Sequence, residues 1–246
     1  MDVAVLALAG CATALATGLG ALPVSHLGRR AEELRPVLWG STVGLMGVAA
    51  VVGLLLPAFR EGSTGSATAG LAVGIVFLLA SRRLLSHRDV HVGALAGAGV
   101  RRSILVFAVL LVHSLPEGFA LGTAFASDTE GLSLFVFLAI ALQNVPEGTS
   151  VAIPMEAAGF GPRQQFWAAV VSSVPQPVGA LIAYALVQEI EGLLSFSFAF
   201  AAGAMLALVV VELVPQAFRR GAVAPAGAGA VAGALLMGAL ALTLGV

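Results

Sequence analysis

Three of the 13 acidic residues, Glu117, Glu147 and Glu212, lie inside long apolar runs instead of at their ends. A charged side chain at the centre of a bilayer costs at least about 2.5–3.5 kcal/mol, so residues placed there usually face a cavity and take part in function. Two of the three belong to copies of one pattern, polar-polar-x-Pro-Glu-Gly. The first copy is HSLPEG, His113 to Gly118; the second is QNVPEG, Gln143 to Gly148. On a helix His113 and Glu117 share a face one turn apart, and Gln143 and Glu147 do the same. A short connection around residues 127–131 makes the two helices antiparallel neighbours, so the faces can meet. One imidazole, two carboxylates and an amide oxygen would then converge at mid-membrane. That set, a borderline nitrogen among hard oxygens, suits a divalent cation such as Zn2+.

The prolines fit the same reading. Pro116 has no N–H for the Val112 carbonyl and Pro146 none for that of Leu142, so each helix should kink there. Carbonyls freed at membrane depth are tolerated where polar side chains, neighbours or water satisfy them. The competing reading is a pair of kinks with a buried Glu–His hydrogen bond and no metal.

The composition says what must position these residues. Of 246 residues, 59% are apolar and 10% charged, and the mean hydropathy is +1.02. Soluble domains carry about 25% charged residues, so this is a polytopic all-helical membrane protein. Eight apolar runs approach the roughly 20 residues of a bilayer crossing: 3–27, 36–57, 66–84, 102–126, 132–155, 165–187, 193–217 and 224–245. They leave only short loops, so residues 1–246 read as one transmembrane domain in the lipid bilayer. The formal net charge of −1 removes any case for nucleic acid. The single cysteine, Cys11, excludes intramolecular disulfides.

All 12 cationic Lys/Arg positions are arginine, and they are unevenly placed. Arg29, Arg30 and Arg35, then Arg82, Arg83, Arg88, Arg101 and Arg102, then Arg163, then Arg219 and Arg220 fall in alternate loops; Arg60 falls on the other side. The positive-inside rule puts the arginine-rich loops in the cytoplasm and both termini outside. Within the longest loop, His87 and His91 are four apart and could touch a metal ion, although a solvated loop accounts for them as well.

The tandem HSLPEG and QNVPEG resemble the signature of the ZIP family of divalent metal transporters, in its GufA-like prokaryotic branch. ATGLGALPV (Ala16 to Val24) is similar to the family's first span, GLMGVAAVVGLLLPA (Gly44 to Ala58) to its second, PQPVGAL (Pro175 to Leu181) to its sixth and ELVPQA (Glu212 to Ala217) to its seventh. The resemblance implies eight spans in a 3+2+3 arrangement with both ends outside. It implies a metal site of His113, Glu117, Gln143 and Glu147, with Met46 as a nearby thioether. A candidate second position would use Ser114, Asn144 and Gln176, the two glutamates bridging, and Glu212 is a candidate for the exit path. It further implies that spans one, four, five and six form a mobile bundle, and spans two, three, seven and eight a scaffold and homodimer interface in the cell membrane. The cargo would be Zn2+ foremost, with Cd2+, Fe2+, Mn2+ or Co2+ as alternatives, and no catalytic cofactor is needed.

The sequence departs from relatives at the second position. Asn144 and Gln176 supply neutral amides where relatives often carry acids. Two divalent ions held close together repel strongly unless anions surround them, and Glu117 and Glu147 bring only two negative charges. One tightly bound ion per protomer is therefore expected. Two other classes compete with a transporter. An intramembrane metal hydrolase would want HExxH, which is absent, and Ser114 projects about 100° away from His113 on a helix. A non-transporting metal sensor is the other alternative.

Overall fold

The computed structural model describes residues 3–27, 29–86, 98–190 and 192–246, and these are helical with no strand among them. Eight helical spans are long and apolar enough to cross a membrane. We label them α1 (Val3–Leu27), α2 (Arg30–Arg60), α3 (Thr64–Ser86), α4 (Ala98–Ala126), α5 (Leu132–Ala157), α6 (Pro162–Glu189), α7 (Leu193–Ala217) and α8 (Val223–Leu244). All eight runs expected from hydropathy are present. The His87 and His91 pair lies outside the described residues.

Two starts differ from the hydropathy reading. The helix of α2 begins at Arg29 and runs through Pro36, because Arg35 and Glu32 pair at 3.0 Å along a charged first stretch that hydropathy does not register. At 31 residues α2 is about 46 Å long, well over a hydrocarbon core of about 30 Å, so this stretch stands beyond it. In α4 the helix begins at Ala98, four residues before the apolar run.

Prolines interrupt the spans in three ways. α1 breaks before Pro23, and α6 breaks at Ser173–Val174 before Pro175, which starts the second half-helix Pro175–Glu189. α2 and α7 widen into π-turns, Ala49–Leu55 and Val209–Leu213, just before Pro57 and Pro215. A π-turn absorbs an extra residue where the regular hydrogen-bond ladder cannot close. α4 and α5 run through Pro116 and Pro146 as continuous helix.

Packing separates the spans into two groups. α1 packs on α5 and α6, and α4 on α5 and α6; α2 packs on α8, and α3 on α7. α4 against α7 and α2 against α5 join the groups. Small residues bring backbones together where lipid offers no hydrophobic drive between helices. Gly40 and Gly44 lie against the Ala226 and Ala230 carbonyls of α8. In the tandem motif, a Cβ at Gly118 would meet the backbone of Gln176 in α6, and one at Gly148 would meet the Thr17 carbonyl in α1.

Gly148→Ala should therefore push α1 from α5 and lower stability by about 1–3 kcal/mol, the usual cost of overpacking. Gly238 in α8 has nothing within 4 Å of an added Cβ, so Gly238→Ala should leave stability unchanged or slightly raised. Thermal unfolding of both variants in one detergent checks the contrast.

Candidate metal centre

α4 supplies His113 and Glu117, and α5 supplies Gln143 and Glu147, one turn apart in each helix. All four are buried, Gln143 completely and Glu117 to within 1%. Gln143 meets Glu117, and His113 lines one hollow with Glu117 and another with Glu147. Gln143 Nε2 donates to Glu117 Oε1 at 2.9 Å, and Glu147 is buried one turn along α5 from Gln143. Two buried carboxyl groups need a proton or a cation, since neither can be left charged and unpaired in a low dielectric.

Two atoms in the cluster are buried with no hydrogen-bond partner: His113 Nδ1 and Gln143 Oε1. Each carries a lone pair or can present one, and unpaired buried polar atoms are rare enough to call for an explanation. The donor types match the expected set, nitrogen from His113 and oxygen from Gln143 and the carboxylates. Among the described residues, no three His, Cys, Asp or Glu side chains come together closely enough to hold an ion by themselves. Both oxygens of Glu117 are turned onto amide groups: Oε1 accepts from Gln143 and Oε2 from Gln176 Nε2 at 2.5 Å. The arrangement is that of a site with its carboxylate held by protein donors.

The residues of the candidate second position are occupied differently. Ser114 Oγ donates to the Leu110 and Ser172 carbonyls, at 2.9 and 3.0 Å. The Ser172 carbonyl belongs to the α6 break, where the Gln176 N–H turns to the Ser173 carbonyl, so Ser114 satisfies a group that the break left without its helix partner. Asn144 Nδ2 donates to the Thr13 carbonyl of α1 at 2.8 Å and to Gln176 Oε1 at 3.0 Å. Thr17 Oγ1 and Ser173 Oγ, 2.7 Å apart, close the same break from the α1 side. The six-residue motif thus has two faces. Its first and fifth residues form the cluster; its second and sixth seat a neighbouring helix, α6 for Ser114 and Gly118, α1 for Asn144 and Gly148.

Met46 is fully buried in the core, packed with Leu45, Ala49 and Ala50 of its own helix in the main apolar cluster. Met205 of α7 is the thioether that lines the hollow holding His113 and Glu117. Sequence reasoning missed it, because α7 is apolar throughout and nothing distinguishes one of its side chains from the next. A second hollow, an open cleft, is lined by His113 and Glu147 and by Glu212 and Gln216. Trp39 and Ser150 also line it, and the Trp39 indole Nε1 is buried without a partner. Ser150 could have been found, since it lies three residues beyond Glu147 on the same face. Glu212, in the α7 π-turn, accepts from Gln216 Nε2 at 3.3 Å and pairs with Arg82 of α3 at 3.7 Å.

The family described as ZIP zinc transporter matches residues 82–241. The zinc transporter GufA of Myxococcus xanthus is 33% identical over 248 residues, which cover 94% of this chain and 95% of that protein. The zinc transporter ZIPB of Bordetella bronchiseptica is 33% identical over 257 residues, covering 97% of this chain and 81% of that protein. A longer protein of Arabidopsis thaliana is 32% identical over 226 residues, and the match takes 35% of its length, so this chain spans about a third of it. These similarities, the eight membrane-spanning helices and the tandem motif identify the chain as a multi-pass membrane protein belonging to the ZIP family, a family of transporters and not of enzymes.

Proposed function

We propose that the chain works as one transporter domain that carries divalent transition-metal ions, Zn2+ foremost, across the cell membrane into the cytoplasm. Relatives of similar length are named zinc transporters. What carries the reading at the level of residues is the pair of unpartnered buried atoms, His113 Nδ1 and Gln143 Oε1, beside the Glu117 and Glu147 carboxyl groups. A divalent ion there would complete both atoms and neutralise the two carboxylates. His113, Glu117, Gln143 and Glu147 are the ligands in this reading, with a thioether nearby from Met46 or, as the lining of the hollow favours, Met205. The softness of one sulfur among oxygens also admits Cd2+, Fe2+, Mn2+ or Co2+.

The arginine-rich end of the bundle is the cytoplasmic end, and both termini are outside. The cleft lined by Ser150, Glu212 and Gln216 is then the way from the site to the cytoplasm. The ion sheds its water as the ligands replace it, and it leaves along the cleft. Glu212 receives it there by exchanging Arg82 for the metal. Binding at mid-membrane between two groups of helices suits alternating access, in which α1, α4, α5 and α6 move as a body against α2, α3, α7 and α8. The densest packing lies within these two groups, which supports that division. We assign homodimer formation to the second group; cross-linking in native membranes tests it.

Glu147→Ala should abolish tight binding and uptake in proteoliposomes, and His113→Ala should lower uptake nearly as far. Uptake at the wild-type rate by a well-inserted Glu147→Ala protein would sink the site. Peptide cleavage without metal uptake by the same liposomes would favour a hydrolase instead.

Protons compete for every ligand of this set, because ligation needs carboxylate and neutral imidazole. Affinity is therefore full at high pH and is lost as pH falls. Between about pH 7.5 and 5.5, which spans the reference imidazole value near 6.5, the Zn2+ dissociation constant should rise about tenfold or more. A constant that stays level across that range, measured by calorimetry, would count against a ligand set built on the Glu117 and Glu147 carboxylates.

A further inference from the structure

Gln176 stands in the first turn of the second half of α6, directly after the break. Its side chain is 1% exposed and Asn144 is fully buried. The two amides form a reciprocal pair: Asn144 Nδ2 donates to Gln176 Oε1 at 3.0 Å, and Gln176 Nε2 donates to Asn144 Oδ1 at 3.2 Å. Each has one amide hydrogen left. Asn144 places its own on the Thr13 carbonyl at 2.8 Å, and Gln176 places its own on Glu117 Oε2 at 2.5 Å. A carbonyl and a carboxylate only accept, so neither amide can be turned round without setting oxygen against oxygen. The direction of the chain is forced: Thr13 carbonyl, Asn144, Gln176, Glu117.

Gln143 differs in one respect. It grips the other oxygen of Glu117, yet its own Oε1 is buried with no partner. Of the two glutamines holding Glu117, Gln143 keeps an oxygen for an ion and Gln176 does not. Ser114 is also engaged, on two backbone carbonyls. The space beside Glu117 away from Gln143 is therefore filled by protein donors.

We propose that Gln176 and Asn144 are positioning residues which take the place of a second ion. This rests on the metal-site reading above. The Gln176 N–H gives Glu117 Oε2 the positive partner that a second cation would supply, and it does so without a charge to repel the transported ion. The relay also has a mechanical side. Thr13 is in α1, Asn144 in α5, Gln176 in α6 and Glu117 in α4, so one chain of hydrogen bonds crosses all four helices of one packing group and none of the other. The carboxylate that holds the ion is tied to the body that moves.

The test uses the full chain in detergent, titrated with Zn2+ by calorimetry and with Co2+ by visible absorption. The wild type should bind one tight ion per protomer. Gln176→Leu should still bind one, about tenfold more weakly, with an unaltered Co2+ ligand-field spectrum, because no ligand has been lost. Gln143→Leu should alter that spectrum. The double variant Asn144→Asp, Gln176→Glu should bind two. Two tight ions in the wild type would overturn the proposal whatever the variants do. So would unchanged affinity or a changed Co2+ spectrum in Gln176→Leu, or a folded double variant that stays at one ion. Glu147→Ala in the same titration separates the two levels: unaltered binding there would remove the metal site itself, not the relay.

Discussion

A carboxylate inside a membrane must be given a positive partner, and the architecture of this protein follows from doing that for Glu117 and Glu147. The cost of burying such a group uncompensated is several kcal/mol. Here Glu117 receives amide hydrogens from two directions, Gln143 on α5 and Gln176 on α6. To reach it, α6 must bring a polar side chain to mid-bilayer at close range. It does so by breaking before Pro175, which leaves Gln176 in the first turn of a new helix. The break frees the Ser172 carbonyl, which Ser114 satisfies, and Thr17 holds the Ser173 hydroxyl beside it. The need of one carboxylate thus fixes the shape of α6 and the polar residues of two of its neighbours.

Neighbouring helices must lie very close for these bonds to form, and that is the role of the glycines in the motif. Gly118 admits the backbone of Gln176, and Gly148 admits the Thr17 carbonyl. A side chain at either position would lengthen the contacts that the buried polar groups depend on. Packing and electrostatics are one constraint here: without van der Waals closeness the amides would not reach, and without the amides the carboxylates would not be stable there.

The spans, and the shared helix faces of the candidate residues, were legible in the sequence because both are local. A run of apolar residues needs no partner to be recognised, and residues four apart on a helix share a face whatever surrounds them. The sequence did not carry the break in α6 or the π-turns before Pro57 and Pro215, since Pro116 and Pro146 pass through continuous helix. Which of these a proline produces depends on whether nearby groups can satisfy the freed carbonyls, and that is a tertiary property. Met205 was hidden for a related reason: in an apolar helix, the side chain that lines a hollow is selected by the packing of other helices. The charged start of α2 was hidden because hydropathy counts charges and not their pairing.

The two copies of the motif also show how a repeated element can serve one asymmetric site. α4 and α5 are antiparallel neighbours, so equal positions of the copies meet. Where the copies agree, at proline, glutamate and glycine, they supply paired functions: two buried carboxyl groups and two close helix seats. Where they differ, the roles divide. His113 offers a nitrogen with no partner, while its counterpart Gln143 both offers an oxygen and holds Glu117. Ser114 can only tie a hydroxyl to backbone carbonyls, while its counterpart Asn144 has a second hydrogen for the relay. Glu117 is consequently gripped at both oxygens by amides, whereas Glu147 faces the cleft with His113. One carboxylate is held at both oxygens and the other lines an open cleft, so the repeated motif yields two chemically unlike carboxyl groups.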